Sequence, residues 1–225
     1  MTDIIIAIDG PAASGKSTTA ARVARALGYH HLNSGLLYRG ITWAVRVEGW
    51  PSDEAEFNRR LADLRLDLER VGSGYRVLVN GADPGVNLVS PATSARVSEV
   101  SARPEVRERV VNLLRSEGGS GGVVCDGRDI GTVVFPDAQL KIFLVASAEE
   151  RGRRRLLDHG LEVSDEAVRE EAARLAARDA ADSSRSVSPL RQASDAVQVD
   201  TTEVNANAVV QRIVSLARDR GATIG

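Results

Sequence analysis

The chain has 225 residues, enough for one α/β domain with room for a small insertion. Its 43% hydrophobic and 27% charged content is ordinary for a globular enzyme, and a net charge of −2 supplies no basic field for nucleic acid or a membrane surface. The first apolar run is too short for a signal peptide or a membrane span. The lone Cys125 excludes an internal disulfide and a multi-cysteine zinc site, so a cytoplasmic protein is expected.

Ile4 to Ile8 reads as a buried strand, and Gly10-Pro-Ala-Ala-Ser-Gly-Lys-Ser17 after it satisfies GxxxxGK[ST] without a mismatch. Ala20, Val23, Ala24 and Leu27 then fall at i, i+3, i+4 and i+7, so a helix follows. Between a strand and a helix, this pattern holds a nucleoside triphosphate. Backbone N–H groups turn inward around the phosphates, Lys16 adds a point charge, and Ser17 offers a hydroxyl to Mg2+. Gly10, Pro11, Ala12, Ala13, Ser14, Gly15, Lys16, Ser17 and Thr18 are the expected ATP-binding residues. Of 29 basic residues only Lys16 and Lys141 are lysines. A GC-rich genome accounts for the arginine bias, yet lysine is kept where a compact, flexible ammonium is wanted.

A short strand is expected from Tyr29 to Leu32, then a helix from Gly35 to about Val47. Between Leu64 and Val100 the periodicity changes. Leu66–Arg70 and Tyr75–Val79 alternate around Gly72-Ser-Gly74, and Asn80-Gly81 supplies a second turn, which predicts a small antiparallel ribbon inserted into a parallel-sheet domain. A helix is expected from about Pro104 to Ser116, with Gly118–Gly122 as a loop inside one domain. Val123–Asp126, Leu140–Ala146 and Ala196–Asp200 read as further strands. A last helix from about Asn205 to Arg220 should bury Val209, Ile213, Leu216 and Ala217. Strands alternating with helices make a parallel sheet covered on both faces, with ligands at the carboxyl ends of its strands, where Gly10 and Asp126 lie.

Three further clusters narrow the chemistry. In Asp126-Gly-Arg-Asp-Ile-Gly-Thr-Val-Val-Phe-Pro-Asp-Ala138, a carboxylate ends an apolar strand, the arrangement that holds Mg2+ or its waters, and Arg128 and Asp129 follow in a glycine-flanked loop. In Arg178-Asp-Ala-Ala-Asp-Ser-Ser-Arg185, Arg178, Asp182 and Arg185 share one helical face, a spacing that surface ion pairs also produce. Arg151-Gly-Arg-Arg-Arg155 is a dense cationic run after a strand. The His30-His31 pair is not a chelate, because adjacent strand residues point to opposite faces, and a structural role is expected. Cys125 reads as a small hydrophobe, and Trp43 and Trp50 as core or surface anchors.

Gly10 to Thr18, Leu32-Asn-Ser-Gly-Leu-Leu-Tyr-Arg39, Asp126 to Ala138 and Arg178 to Leu190 together resemble the bacterial cytidylate kinases, in order and over essentially the whole chain. The resemblance implies a P-loop nucleoside monophosphate kinase fold: a five-stranded parallel sheet flanked by helices, a small antiparallel β insert and a helical lid. The implied division is a core of residues 1–62 and 103–225, a lid at about 151–185, and a monophosphate-binding insert at 63–102. The implied reaction is transfer of the ATP γ-phosphoryl group to CMP or dCMP. Ser34, Tyr38, Arg39, Ser98, Arg107, Arg128, Asp129, Arg178, Asp182 and Arg185 are the implied CMP-binding residues. Lys16, Arg128, Arg151, Arg154, Arg155 and Arg178 are implied in catalysis, and Ser17 and Asp126 in holding Mg2+. A monomer with no nucleic-acid or membrane partner is expected.

The acceptor phosphate oxygen is largely ionised at neutral pH, so no general base is needed, and the chemistry reduces to aligning two anions and cancelling their charge. Arg107 and Arg128 are expected on the acceptor phosphate, with Asp129 accepting from cytosine N4 and Arg185 donating to its acceptor edge. Asp182, by resemblance, takes the sugar hydroxyls. Alternatives are a related kinase for another monophosphate or for shikimate, and a nucleotide-gated switch; the N-K-x-D motif and hydrolytic glutamine of a switch are missing. The chain also departs from the family pattern. Asn33 stands where aspartate is usual, Val89-Ser-Pro-Ala-Thr93 lacks the usual arginine and glutamate, Leu114 replaces glutamine, and Gly152 replaces alanine, which should loosen the lid helix.

Overall fold

The structure is a computed structural model and describes residues 3–223. In chain order the elements are β1 (Ile5–Asp9), α1 (Lys16–Leu27), β2 (His30–Asn33), α2 (Ser34–Arg46), α3 (Glu54–Asp63), β3 (Leu66–Val71), β4 (Gly74–Val79), α4 (Pro91–Ser101), α5 (Pro104–Gly118), β5 (Val123–Gly127), β6 (Leu140–Val145), α6 (Ala148–Asp158), α7 (Asp165–Ser183), β7 (Val197–Asp200) and α8 (Ala206–Asp219). The strands form one sheet in the order β3-β4-β2-β5-β1-β6-β7, with every neighbouring pair parallel except β3 and β4.

The central strands β1, β5 and β6 are largely apolar until their carboxyl ends because helices cover both faces. Ile6 and Ile8 of β1 face the core beneath α1 and α8, with Val23, Leu27 and Ile213. Ala7 points the other way, into the core that Leu37 and Ile41 of α2 form with Val110 and Leu114 of α5. Leu114 is thus wholly buried apolar packing at the position where glutamine is usual. In α8 Leu216 is only partly buried, and Val214 takes the inward position expected for it.

The five strands β2-β5-β1-β6-β7 are those expected, and the sheet carries two more. The β3–β4 ribbon is not a detached insert: Gly74 pairs in parallel with His31, so the ribbon extends the edge of the main sheet. The rest of the region expected as ribbon is a 3-10 turn at Gly85–Val89 followed by α4. Both α3 and α4 escaped the periodicity reading, because α3 buries only Phe57 and Leu61 and α4 is weakly amphipathic. Their caps were nonetheless written in the sequence. Asp53 accepts from Glu56 N–H while Glu56 accepts from Ser52 N–H, and Ser90 caps a helix that opens with Pro91. Asn33 caps α2 by accepting from Leu36 N–H at 3.2 Å, so the exchange of aspartate for asparagine keeps the cap.

Helices α6 and α7 pack against each other beyond the strand ends. A Cβ on Gly152 would lie 2.7 Å from the Val168 carbonyl oxygen and 3.1 Å from Ala172 N. This glycine therefore lets two backbones touch rather than loosening α6, which corrects the expectation. Helix α7 ends at Ser183, so Arg185 lies beyond it and does not share its face in the regular helical sense.

Candidate active site

The donor end is built where β1 turns into α1. Gly10 has φ 150°, and a Cβ there would lie 2.1 Å from the Leu144 carbonyl oxygen, so the chain can leave the sheet tightly only with glycine. Ala13, at φ 58°, and Gly15, at φ 87°, then turn successive amides inward. Lys16 is buried, and its Nζ donates to the Pro11 carbonyl at 2.5 Å. Burial, followed by the nearby Arg128 guanidinium, pulls its pKa well below the usual lysine range. A desolvated ammonium with few partners gains most from a phosphate.

Ser17 Oγ donates to Asp126 Oδ2 at 2.7 Å, so the hydroxyl and the carboxylate at the end of β5 meet as expected. Both are hard oxygen donors. No group of three or more His, Cys, Asp or Glu side chains is disposed for a metal among the described residues. This donor set fits Mg2+, which keeps waters and takes phosphate oxygens rather than an all-protein cage. His31 Nε2 lies 2.6 Å from Asp126 Oδ1, and His30 on the opposite face stacks edge-on against Tyr75.

Asp9, the last residue of β1, carries the loop after β5. It is 4% exposed and accepts from the N–H groups of Ile130 and Gly131 at 2.8 and 2.7 Å. Those bonds pin a π-type turn at Ile130–Val134, which aims Arg128 and Asp129 into the cleft. Burial pushes the Asp9 carboxyl up to about 6, against the lowering effect of the two amides.

Opposite the phosphate loop lies a cleft of about 300 Å³. At one end Arg39, Arg128, Arg155 and Arg178 converge near Lys16 and Asp126. Burial, then Arg128, pushes Arg178 down to about 10, and its Nε is buried without a partner. At the other end Arg107 and Asp129 form an ion pair at 2.5 Å, with side chains 3% and 4% exposed, and the Arg107 guanidinium lies 5.2 Å from the Tyr38 ring centroid. Asp182 bridges the two ends, holding Arg128 Nε at 2.9 Å and pairing with Arg185.

A kinase that presents a phosphate loop on one wall and this arginine cluster on the other aligns two phosphate-bearing substrates. The family model for cytidylate kinase matches residues 6–219. The chain belongs to the cytidylate kinase family. It is 46% identical over 222 residues to the cytidylate kinase of Desulfitobacterium hafniense, covering 97% of this chain and 94% of the relative. It is 43% identical over 218 residues to that of Syntrophotalea carbinolica, covering 96% and 93%. Against a bifunctional pantoate ligase/cytidylate kinase of Synechococcus elongatus it is 44% identical over 226 residues, spanning 96% of this chain but 42% of that protein. A solved shikimate kinase from Acinetobacter baumannii in complex with shikimate shares the fold, with a TM-score of 0.50 at 17% identity over 98% of this chain and 96% of the other.

Of the residues expected from the sequence in this cytidylate kinase relative, Ala12, Ala13, Lys16, Ser17, Ser34, Tyr38, Arg39, Arg107, Asp126, Arg128, Asp129, Arg155, Arg178, Asp182 and Arg185 line the one cleft. Ser34 Oγ there donates to the Asp126 carbonyl at 2.8 Å. Gly10, Pro11, Ser14, Gly15 and Thr18 shape the loop without lining the cleft, and Ser98 does not line it either. Ser101 does line it; its hydroxyl accepts from Arg185 at 3.1 Å and its carbonyl accepts from Arg107 at 2.8 Å. Arg151 and Arg154 also stay off the cleft. Arg151 pairs with Asp179 and donates to the Ala12 carbonyl, and Arg154 donates to Thr201 Oγ1 at 3.0 Å. The segment Val89–Thr93 leaves Arg39 to donate to Leu88 carbonyl at 3.1 Å and Ser94 Oγ at 2.7 Å. Asp9, His31, Ser101 and Asp179 were missed. A carboxylate closing a buried strand flags Asp9, Asp179 stands inside a block already singled out, His31 belongs to the pair read as structural, and Ser101 carries no sequence signal.

Proposed function

We propose that this chain transfers the γ-phosphoryl group of ATP directly to CMP or dCMP, giving ADP and CDP or dCDP, and that the residues of the cleft carry the reaction as follows. The observation behind this reading is the polarity of the cleft: four guanidiniums, of which Arg128 is held by Asp182, crowd the end beside Lys16, and a buried Arg–Asp pair closes the far end.

Lys16 and the inward amides of the phosphate loop hold the donor. Arg39, Arg128, Arg155 and Arg178 cancel charge on the acceptor and transferring phosphates through forked donors, and the acceptor oxygen needs no base. Ser17 and Asp126 hold Mg2+, partly through water, and the ion supplies charge neutralisation between the phosphates. Because Arg107 pairs with Asp129, we read Arg107 at the base rather than at the phosphate end expected from the sequence: Asp129 accepts from cytosine N4, and Arg107 donates to the acceptor edge. Asp182, fixed by Arg128 and Arg185, takes the sugar hydroxyls. Arg151 and Arg154 brace the donor loop from behind.

Residues 151–185 serve as the lid that excludes water, the competing acceptor, and residues 63–102 serve as the acceptor-side subdomain on a core of 1–62 and 103–225, whose extreme termini lie outside the described residues. No helix among the described residues is long and apolar enough to cross a membrane, and the enzyme is proposed to work as a cytoplasmic monomer. ADP release measured with CMP, dCMP, UMP, AMP and shikimate tests the assignment. Transfer confined to CMP and dCMP is expected, and equal rates with UMP or shikimate would overturn it.

A further inference from the structure

Asp179 and Arg151 stand outside the cleft, yet together they hold both polar groups of one residue of the phosphate loop. Ala12 N–H donates to Asp179 Oδ1 at 2.8 Å, and the Ala12 carbonyl accepts from Arg151 Nη1 at 3.1 Å. Arg151 and Asp179 also pair with each other, with side chains 9% and 14% exposed. Ala12 immediately precedes Ala13, the residue held at φ 58° where the loop begins to turn its amides inward. Fixing the Ala12 peptide groups therefore fixes the direction in which the following amides point.

The position of Asp179 in α7 gives this contact its consequence. Successive helical residues point about 100° apart. Arg178 accordingly faces the cleft with a buried, unpartnered Nε, while Asp179 faces the donor loop. One turn further, Asp182 holds Arg128 and Arg185. A single stiff helix thus presents one residue to the acceptor's phosphate and its neighbour to the backbone of the donor loop.

We propose that Asp179 is a positioning residue that couples the two substrate sites: an anion drawing Arg178 into the cleft sets α7, and Asp179 transmits that setting to Ala12 and the phosphate-binding amides. The coupling is reciprocal, so a triphosphate seated in the loop strengthens acceptor binding by the same factor. The proposal rests on CMP being the acceptor.

The test is calorimetric binding of CMP with and without a non-hydrolysable ATP analogue and Mg2+, in the wild-type chain, in Asp179→Ala, and in Asp179→Ala combined with Arg151→Gln. The double variant removes both buried charges, so neither is left unpaired, and it supplies the reading where the single variant fails to fold. In the wild type the analogue is expected to tighten CMP about tenfold, within the usual range for coupled sites. In the folded variants that factor should fall to about one, while CMP alone binds within roughly threefold of wild type, a change well below the usual range for coupled sites. A variant that keeps the wild-type factor overturns the role of Asp179. Equal weakening of both nucleotides with the factor intact assigns Asp179 a purely structural role and overturns the proposal too. A wild-type chain that binds the analogue but no CMP overturns the acceptor reading and the coupling with it, and one that binds both independently overturns the coupling alone.

Discussion

Arg107 and Asp129 meet at 2.5 Å in the cleft, both almost wholly buried, one from α5 and the other from the loop after β5. The pair holds a donor and an acceptor side by side, the pattern that the cytosine edge demands. Uracil replaces the amino group with a carbonyl and leaves Asp129 facing an acceptor. That mismatch is worth about 2–4 kcal/mol, a preference for CMP over UMP of roughly 30- to 1000-fold in kcat/KM. Asp129→Asn should collapse that ratio towards one. It should also lower the melting temperature, because an unpaired buried guanidinium costs about 3–5 kcal/mol. Steady-state kinetics with both nucleotides, alongside thermal melts, decide it; an unchanged CMP/UMP ratio in a folded variant would remove Asp129 from base reading.

Lys16 rests on the Pro11 carbonyl and is desolvated, so its charge is available to a phosphate at little reorganisation. Lys16→Ala should reduce kcat by about 100- to 1000-fold or more with every acceptor, since it removes a preorganised donor from the transferring group. CMP binding measured without ATP should be unchanged. Loss of CMP affinity equal to the loss of rate would place Lys16 at the acceptor instead.

Arg178 reaches the cleft with its Nε unsatisfied and its pKa pushed down to about 10 by burial and by Arg128. Arg178→Lys keeps one charge but loses the planar fork, and kcat should fall about 100-fold with a smaller change in KM for CMP. A rise in KM at constant kcat would mean that Arg178 binds ground state and transition state alike.

The catalytic half of this molecule was readable because its chemistry is local in sequence. The phosphate loop, Asp126-Gly-Arg-Asp129 and Arg178–Arg185 each stand out within a short run, and the β–α alternation places the first two at strand ends, while the third lies on and just beyond α7. What the sequence withheld is pairing at a distance. Nothing near Arg107 announces Asp129, and nothing in the arginine run after β6 tells that Arg155 faces the cleft while Arg151 and Arg154 turn to Asp179 and Thr201. Helices α3 and α4 were missed for a related reason: they bury narrow faces, so hydrophobic periodicity is weak and only their caps mark them.

Asp9 links stability to pH. Its carboxyl is raised from 3.8 to about 6 by desolvation. A raised acid contributes its full share to stability below the unfolded pKa and loses that share as pH rises through the folded one. Relative to Asp9→Asn, which does not titrate there, the wild type should therefore lose about 2 kcal/mol between pH 4 and pH 7. Urea denaturation of both proteins across that window measures it. A gap between the two that is flat with pH would mean that the Ile130 and Gly131 amides compensate the burial.

Gly152 provides the sharpest test of how α6 and α7 are assembled. A methyl group there meets backbone, not a movable side chain: the Val168 carbonyl oxygen at 2.7 Å and Ala172 N at 3.1 Å. Alanine is favoured over glycine inside a helix by about 0.8–1.0 kcal/mol, but forcing two packed helices apart costs about 1–3 kcal/mol. The second effect should win at this contact, so Gly152→Ala should lower the melting temperature by a few degrees. It should also reduce kcat, because α6 carries Arg155 and α7 carries Arg178 and Asp182. Circular dichroism melts and the ADP-release assay read both effects. A variant more stable than wild type would show that α6 and α7 can separate freely, and that the placing of Arg155 and Arg178 does not depend on their close approach.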